Sequence, residues 1–152
     1  MLFIDENTRR AGQLEDTSHC WWTTPYGEWR RAAEIEAMRR FPQFELQLRD
    51  GVLSWEGSLV SALDGNRYRV KLSYPDSFPD ESPQVMIVEP ALDPCAPHLL
   101  FPGRPCLFRW SGPGCGYERA RTTAATLVAW TALWIHAYET WRKTGTWPGE
   151  GD

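Results

Sequence analysis

Between Phe44 and Tyr74 apolar residues recur at every second position in three runs, and each break between runs carries turn residues. Phe44, Leu46 and Leu48 alternate with Glu45, Gln47 and Arg49. Leu53, Trp55, Gly57 and Leu59 share one face of a second run, and Tyr68, Val70, Leu72 and Tyr74 one face of a third. A period of two sends successive side chains to opposite faces of a strand, so each run can bury one face and wet the other. Asp50-Gly51 predicts a hairpin turn, because such turns need residues that tolerate positive φ. Asp64-Gly65-Asn66 predicts a second turn for the same reason. Val85 and Ile87, after Pro83, mark a fourth strand. Successive strands with short turns read as an antiparallel meander.

Helical signals flank the strands. Thr24-Pro25 is a helix start, with Thr as cap and Pro at the first helical position. Tyr26, Trp29, Ala33 and Ala37 follow at helical spacing as the inward stripe, with Arg30, Arg31, Arg39 and Arg40 on the exposed side and Pro42 as terminator. Thr122 or Thr123 caps a last helix, in which Leu127, Thr131, Trp134, Tyr138 and Trp141 lie on one stripe widened by Val128 and Ile135. Gly145 is its stop, and Trp147-Pro148-Gly149 follows. Residues 89–118 keep no period and hold Pro90, Pro94, Pro97, Pro102 and Pro105 beside Cys95, Cys106 and Cys115. A long ordered loop in a small domain is usually functional. The expectation is an α+β fold with helices covering one face of a sheet. Residues 1–22 are read as a flexible N-terminal arm that begins to pack at Trp21 and Trp22, and residues 23–149 as a single domain.

Charge and composition narrow the function classes. A net charge of −4 with scattered basic residues gives no footprint for nucleic acid. The longest apolar stretch, Ala124 to Tyr138, is broken by Thr and His and is too short to span a membrane. The opening MLFIDENTRR has acidic residues where an export signal would have a basic start, so a cytoplasmic protein is expected. There is no Gly-rich phosphate loop, so no nucleotide cofactor is expected. Nine Trp predict an aromatic-rich core. In a reducing compartment the four Cys point to catalysis, metal binding or burial rather than to disulfides.

Three local patterns carry a family resemblance: Trp55-Glu56-Gly57 in the second strand, Tyr74-Pro75-Asp76-Ser77-Phe78-Pro79-Asp80-Glu81-Ser82-Pro83 between the third and fourth, and His98 followed by Cys106-Leu107. Over roughly residues 25–145 the chain resembles the ubiquitin-conjugating enzymes (the UBC fold). Its ending, from Trp134 to Trp147-Pro148-Gly149, is similar to the compact bacterial members of antiphage (CBASS or ubiquitin-like conjugation) operons. The resemblance implies an N-terminal helix, a four-stranded meander, an active-site loop and a long C-terminal helix. It implies Cys106 as the catalytic thiol and His98 as the residue that supports its loop. It implies an activating enzyme as partner, which the first helix would meet, and as cargo a ubiquitin-like modifier or a cGAS-like nucleotidyltransferase. The family's His-Pro-Asn is His98-Leu99-Leu100 here, so the Asn that shapes the loop or the oxyanion site is replaced, with Asp93, Arg104 and Tyr117 as loop candidates for its role.

A carrier must accept an activated acyl group and release it to an amine, and a thiol suits both steps because Cys is strongly nucleophilic and its thioester stays reactive. The thiolate attacks, and Arg104 and Arg109 flank Cys106 in sequence. Gly103-Arg104-Pro105 would hold the thiol at the surface, and Phe101, Phe108 and Trp110 could wall a groove for an extended tail. The alternatives are an inert binding module of the same fold, a deconjugating thiol enzyme with His98 as base, and a zinc-stabilised interaction domain. Cys95-x2-His98 with Cys106 and Cys115 fits zinc spacing poorly, since structural zinc sites prefer two tight ligand pairs. Cys20 reads as incidental, His136 as a packed or half-exposed residue of the last helix, and His19, in the arm, carries no signal.

Overall fold

The computed structural model describes residues 20–107 and 116–149. A single 3-10 turn, Trp21–Thr23, leads into α1 (Pro25–Met38). Four strands follow: β1 (Glu45–Arg49), β2 (Val52–Val60), β3 (Arg67–Ser73) and β4 (Gln84–Glu89), all antiparallel and in sequence order across the sheet. A small hairpin, β5 (Leu99–Phe101) with β6 (Arg104–Pro105), carries the chain to Cys106, and α2 (Ala124–Thr144) closes the fold. The meander, its order and its bounding helices agree with the periodicities above.

The turns and caps form for local reasons. Asp50 and Gly51 both adopt positive φ, 52° and 74°, which matches the twist of the strands they join. The register pairs Leu46 with Trp55 and Trp55 with Leu72, placing the apolar alternation of three strands on one face. Gly57 is glycine because a Cβ there would stand 2.6 Å from Cγ of Phe44 and 2.7 Å from the Gln43 carbonyl oxygen. Thr24 accepts the amide of Gly27 at 2.9 Å to cap α1, and Thr123 and Thr126 form a reciprocal capping box at the start of α2. Gly145 ends α2 at φ 80°.

The first helix corrects the expected stripe. The residues that α1 buries are Gly27, Arg30, Glu34 and Met38, one position on from Tyr26, Trp29, Ala33 and Ala37. Tyr26 is 49% exposed and Trp29 65%, whereas Arg30 is 3% exposed and therefore does not belong to the solvent face. Packing against the turn before α1 decides the rotation: a Cβ on residue 27 would fall 1.6 Å from the Trp21 carbonyl oxygen, so only glycine can face it. The helix also ends at Met38, a turn before Pro42.

The polar side chains that α1 buries satisfy one another. Arg30 donates from Nε to Glu34 Oε2 (3.2 Å), from Nη1 to the Arg119 carbonyl (2.7 Å) and from Nη2 to the Thr122 carbonyl (2.8 Å). Glu34 Oε1 accepts the Tyr74 hydroxyl (2.7 Å) and the Ala124 amide at the start of α2 (2.8 Å). The Tyr74 hydroxyl in turn accepts the Trp55 indole N–H at 2.8 Å. A helix N-terminus favours a carboxylate, and a buried pair is tolerable only when its other donors and acceptors are met. Burial first, and then the Glu34 carboxylate, push the Tyr74 phenol well above its ordinary pKa, so it stays a donor.

Cys20, Trp21 and Trp22 are buried in the core, where Trp21 packs on Tyr74 and Phe78 with ring centroids 5.0 and 4.7 Å apart. The expected arm over residues 1–22 otherwise falls outside the described residues. At the other end of the sheet, Tyr68 donates to Glu139 of α2 at 2.7 Å, and Asn66 donates to the same carboxylate oxygen at 3.1 Å. No described helix is long and apolar enough to cross a membrane.

Candidate active site

Cys106 follows the β5–β6 hairpin directly. Three hydrogen bonds locate it. The Ile87 amide of β4 donates to the Gly103 carbonyl at 2.6 Å, which ties the hairpin to the sheet edge. The Cys106 amide donates to the His98 carbonyl at 2.7 Å. The indole N–H of Trp134, in the middle of α2, donates to that same carbonyl at 3.0 Å. Pro105 and Leu107 on either side are buried, while Cys106 is half-buried. Cys106 thus sits between two buried neighbours and is itself only half-buried.

His98 holds its place by its backbone and its ring. Its φ is 57°, a left-handed conformation that a non-glycine residue adopts at a cost of about 1–3 kcal/mol unless its surroundings fix it. The surroundings here are the two donors to its carbonyl and the ring of Trp147, 5.1 Å from the imidazole. Trp147 is buried just beyond the left-handed Gly145 and meets Trp134 edge-on at 5.5 Å. Trp134 stacks on Tyr138 at 5.2 Å, and the Tyr138 hydroxyl accepts the Asp93 amide at 2.8 Å. The segment before the hairpin and the hairpin itself are therefore both fastened to α2.

The other loop residues singled out by sequence are spread around this core. Asp93 Oδ1 accepts the amide of the exposed Cys95 at 2.9 Å. The Arg104 guanidinium lies over the Phe101 ring, 5.5 Å from its centroid. Tyr117 donates its hydroxyl to the Pro79 carbonyl at 2.5 Å, and burial pushes that phenol up to about 12. Phe108, Arg109, Trp110 and Cys115 lie outside the described residues, so the groove walls and the zinc spacing that involve them lie there too. Among the described residues no three His, Cys, Asp or Glu side chains come together to hold a metal.

An apolar groove of about 430 Å³ runs between β4 and the hairpin. Met86 and Val88 form its sheet side; Leu100 and Phe101 form its hairpin side. All four are exposed. Cys106 is not in its lining, but Leu99 is, and Leu99 pairs with Pro105, the residue before the thiol.

Sequence reasoning singled out Cys106 and His98 but not the two indoles packed around the His98 backbone and ring. Trp134 reads as ordinary core in a helical stripe and Trp147 as a chain terminus. A hydrogen bond spanning 36 residues leaves no local signal.

Among curated proteins nothing matches the chain. The family model described as type II CBASS E2 protein matches residues 33–152, which takes in the end of α1, the whole meander, the Cys106 hairpin and α2. With a UBC-like arrangement of helix, meander, hairpin and closing helix already in place, that match assigns the chain: it belongs to the type II CBASS E2 proteins, a family of antiphage defence whose E2-like fold goes with conjugation-type transfer.

Proposed function

We propose that Cys106 accepts the C-terminal acyl group of a protein cargo as a thioester and passes it to an amine. The cargo is a ubiquitin-like modifier or a cGAS-like nucleotidyltransferase, delivered in activated form by an ATP-dependent activating enzyme in the cytoplasm. In the first step the Cys106 thiolate attacks the activated carbonyl. The carbon–sulfur bond forms, the bond to the leaving group breaks, and the leaving group carries away the electron pair. In the second step an amine displaces the thiolate, losing a proton as the amide forms. Neither step calls for a resident cofactor or metal in this chain.

The observation that carries this reading is the placement of Cys106: half-buried, between two buried neighbours, with its amide held by the His98 carbonyl. Transthiolation starts from an electrophile that is already activated, so fixed geometry can supply much of the rate. Family membership supports the activating enzyme and the cargo as partners. The apolar groove beside the hairpin suits an extended tail arriving at the thiol.

The test is a non-reducing gel after incubating the full chain with ATP, an activating enzyme and the nucleotidyltransferase or ubiquitin-like protein encoded beside it. A thiol-sensitive adduct is expected with the wild-type chain and none with Cys106→Ala, while Cys106→Ser should leave an oxyester that resists thiol. A thiol-sensitive adduct that persists in Cys106→Ala would sink the proposal.

A further inference from the structure

The His98 carbonyl is an unusual junction. A carbonyl oxygen has two lone pairs, and both are used here: one by the amide of Cys106 at 2.7 Å, the other by the Trp134 indole at 3.0 Å. One donor comes from the reactive residue and the other from the closing helix. Trp134 is fully buried, so its indole cannot swing away without leaving its N–H inside the protein with no acceptor, which costs more than an ordinary bond gains. Trp147 adds the second constraint. It folds back past Gly145 to touch both the Trp134 ring and the His98 ring, closing over a backbone that would otherwise relax out of its left-handed conformation.

We propose that Trp134 and Trp147 are positioning residues for Cys106: they fix the His98 carbonyl from α2, and the carbonyl fixes the thiol-bearing backbone. The inference rests on the thioester reading of Cys106. It adds that the last helix and the residues just after it set the geometry of transfer, so a change at either indole acts on the reaction without touching the substrate.

The two ideas separate in one set of measurements on the full chain. Hydrogen exchange by mass spectrometry reads the junction without any cargo. In Trp134→Phe, which keeps an aromatic ring but loses the donor, the peptide containing Cys106 should exchange at least about tenfold faster, as expected when a local opening becomes easier. Peptides from β2 and β3 should be unchanged. Single-turnover adduct formation with the same activated cargo should then show a rate constant at saturation lowered by about tenfold to a hundredfold, the scale of a small misplacement of reacting groups. The half-saturating cargo concentration should move less than about twofold in the same experiment. Trp141→Phe, on the same helix but outside the junction, should show neither change. If Trp134→Phe does not fold, Trp147→Leu, which removes the ring that packs on both Trp134 and His98, takes its place with the same expectations. Unchanged exchange at Cys106, exchange that rises equally in β2 and β3, or a wild-type rate constant at saturation would each overturn the positioning role. A wild-type chain that forms no adduct, with Cys106 exchange still accelerated in the variant, would overturn the thioester reading and leave the junction standing.

Discussion

Two regions of this molecule fasten the same helix by opposite means. At the start of α2 the fastening is ionic: Arg30 and Glu34, both almost fully buried, grip the Thr122 carbonyl and the Ala124 amide and reach Tyr74 and Trp55 in the sheet. In the middle of α2 the fastening is an indole on one carbonyl, with a second indole closing over it. The ionic clamp is internally satisfied and faces away from solvent, so it can only hold the fold. The indole junction sits one backbone hydrogen bond from the half-buried Cys106, so under the proposed function it bears on the reacting atom. On the thioester reading of Cys106, stability and chemistry fall to different places in this small domain. That division is broken by any variant of the clamp that damages chemistry in molecules that remain folded.

The largest expected effect on stability is at the clamp. Arg30→Ala leaves the Glu34 carboxylate buried without its counterion and strips donors from two backbone carbonyls. Breaking a buried pair in this way costs about 3–5 kcal/mol, which urea unfolding followed by tryptophan fluorescence would register as a large fall in midpoint. Adduct formation per folded molecule should be preserved. A stability loss below about 1 kcal/mol, the range of an exposed pair, would mean that the clamp is ornamental.

This clamp also marks where the sequence could and could not be read. The meander was legible because a period of two, Asp-Gly at a turn and β-branched or aromatic residues all favour the same answer. The α2 stripe was legible for the same reason. The α1 stripe was not, because hydrophobicity selected Tyr26, Trp29, Ala33 and Ala37, whereas the helix buries a glycine and an ion pair. Close approach of Gly27 to Trp21 and mutual satisfaction of Arg30 and Glu34 are tertiary facts that no local pattern encodes. Likewise Cys106 and His98 stood out by motif, but the junction that joins them to Trp134 depends on two segments meeting in space.

A smaller effect is expected at Tyr117, which lies on the clamp side yet follows the segment that leaves Cys106. Its hydroxyl donates to the Pro79 carbonyl, and Tyr117→Phe should cost about 0.5–1.5 kcal/mol, the usual net value of one such bond. The pH dependence sharpens the test. Burial, the leading cause, raises the folded phenol to about 12 from 10.0, so above pH 10 the unfolded chain has lost this proton while the folded chain retains it. Stability from this group is therefore fully present below pH 10 and falls as pH rises toward about 12. Urea midpoints measured from pH 9 upward should decline less steeply in Tyr117→Phe than in the wild-type chain over that window, with the remaining slope left by the other buried tyrosines. Equal slopes would mean that burial does not hold the Tyr117 phenol protonated in the folded chain.

The smallest expected change in stability is at His98, and it bears hardest on the chemistry. His98→Gly keeps the carbonyl that accepts from Cys106 and Trp134, and glycine adopts φ near 57° without strain. Relief of that strain, about 1 kcal/mol, offsets the lost ring contact with Trp147, about 0.5–1.5 kcal/mol. The net shift should lie within about 1 kcal/mol. The substitution separates the two things a histidine could do here. If its imidazole were the base that activates Cys106, its removal would cost about 10²–10⁴-fold in rate and erase a titration from the pH profile. If His98 acts through its carbonyl, single-turnover adduct formation should fall by less than about tenfold, with its pH dependence unchanged, because a base worth at least about 10² has not been lost. A loss of a hundredfold or more in a folded His98→Gly chain would move the imidazole from the junction into the reaction and end the division between the two fastenings of α2.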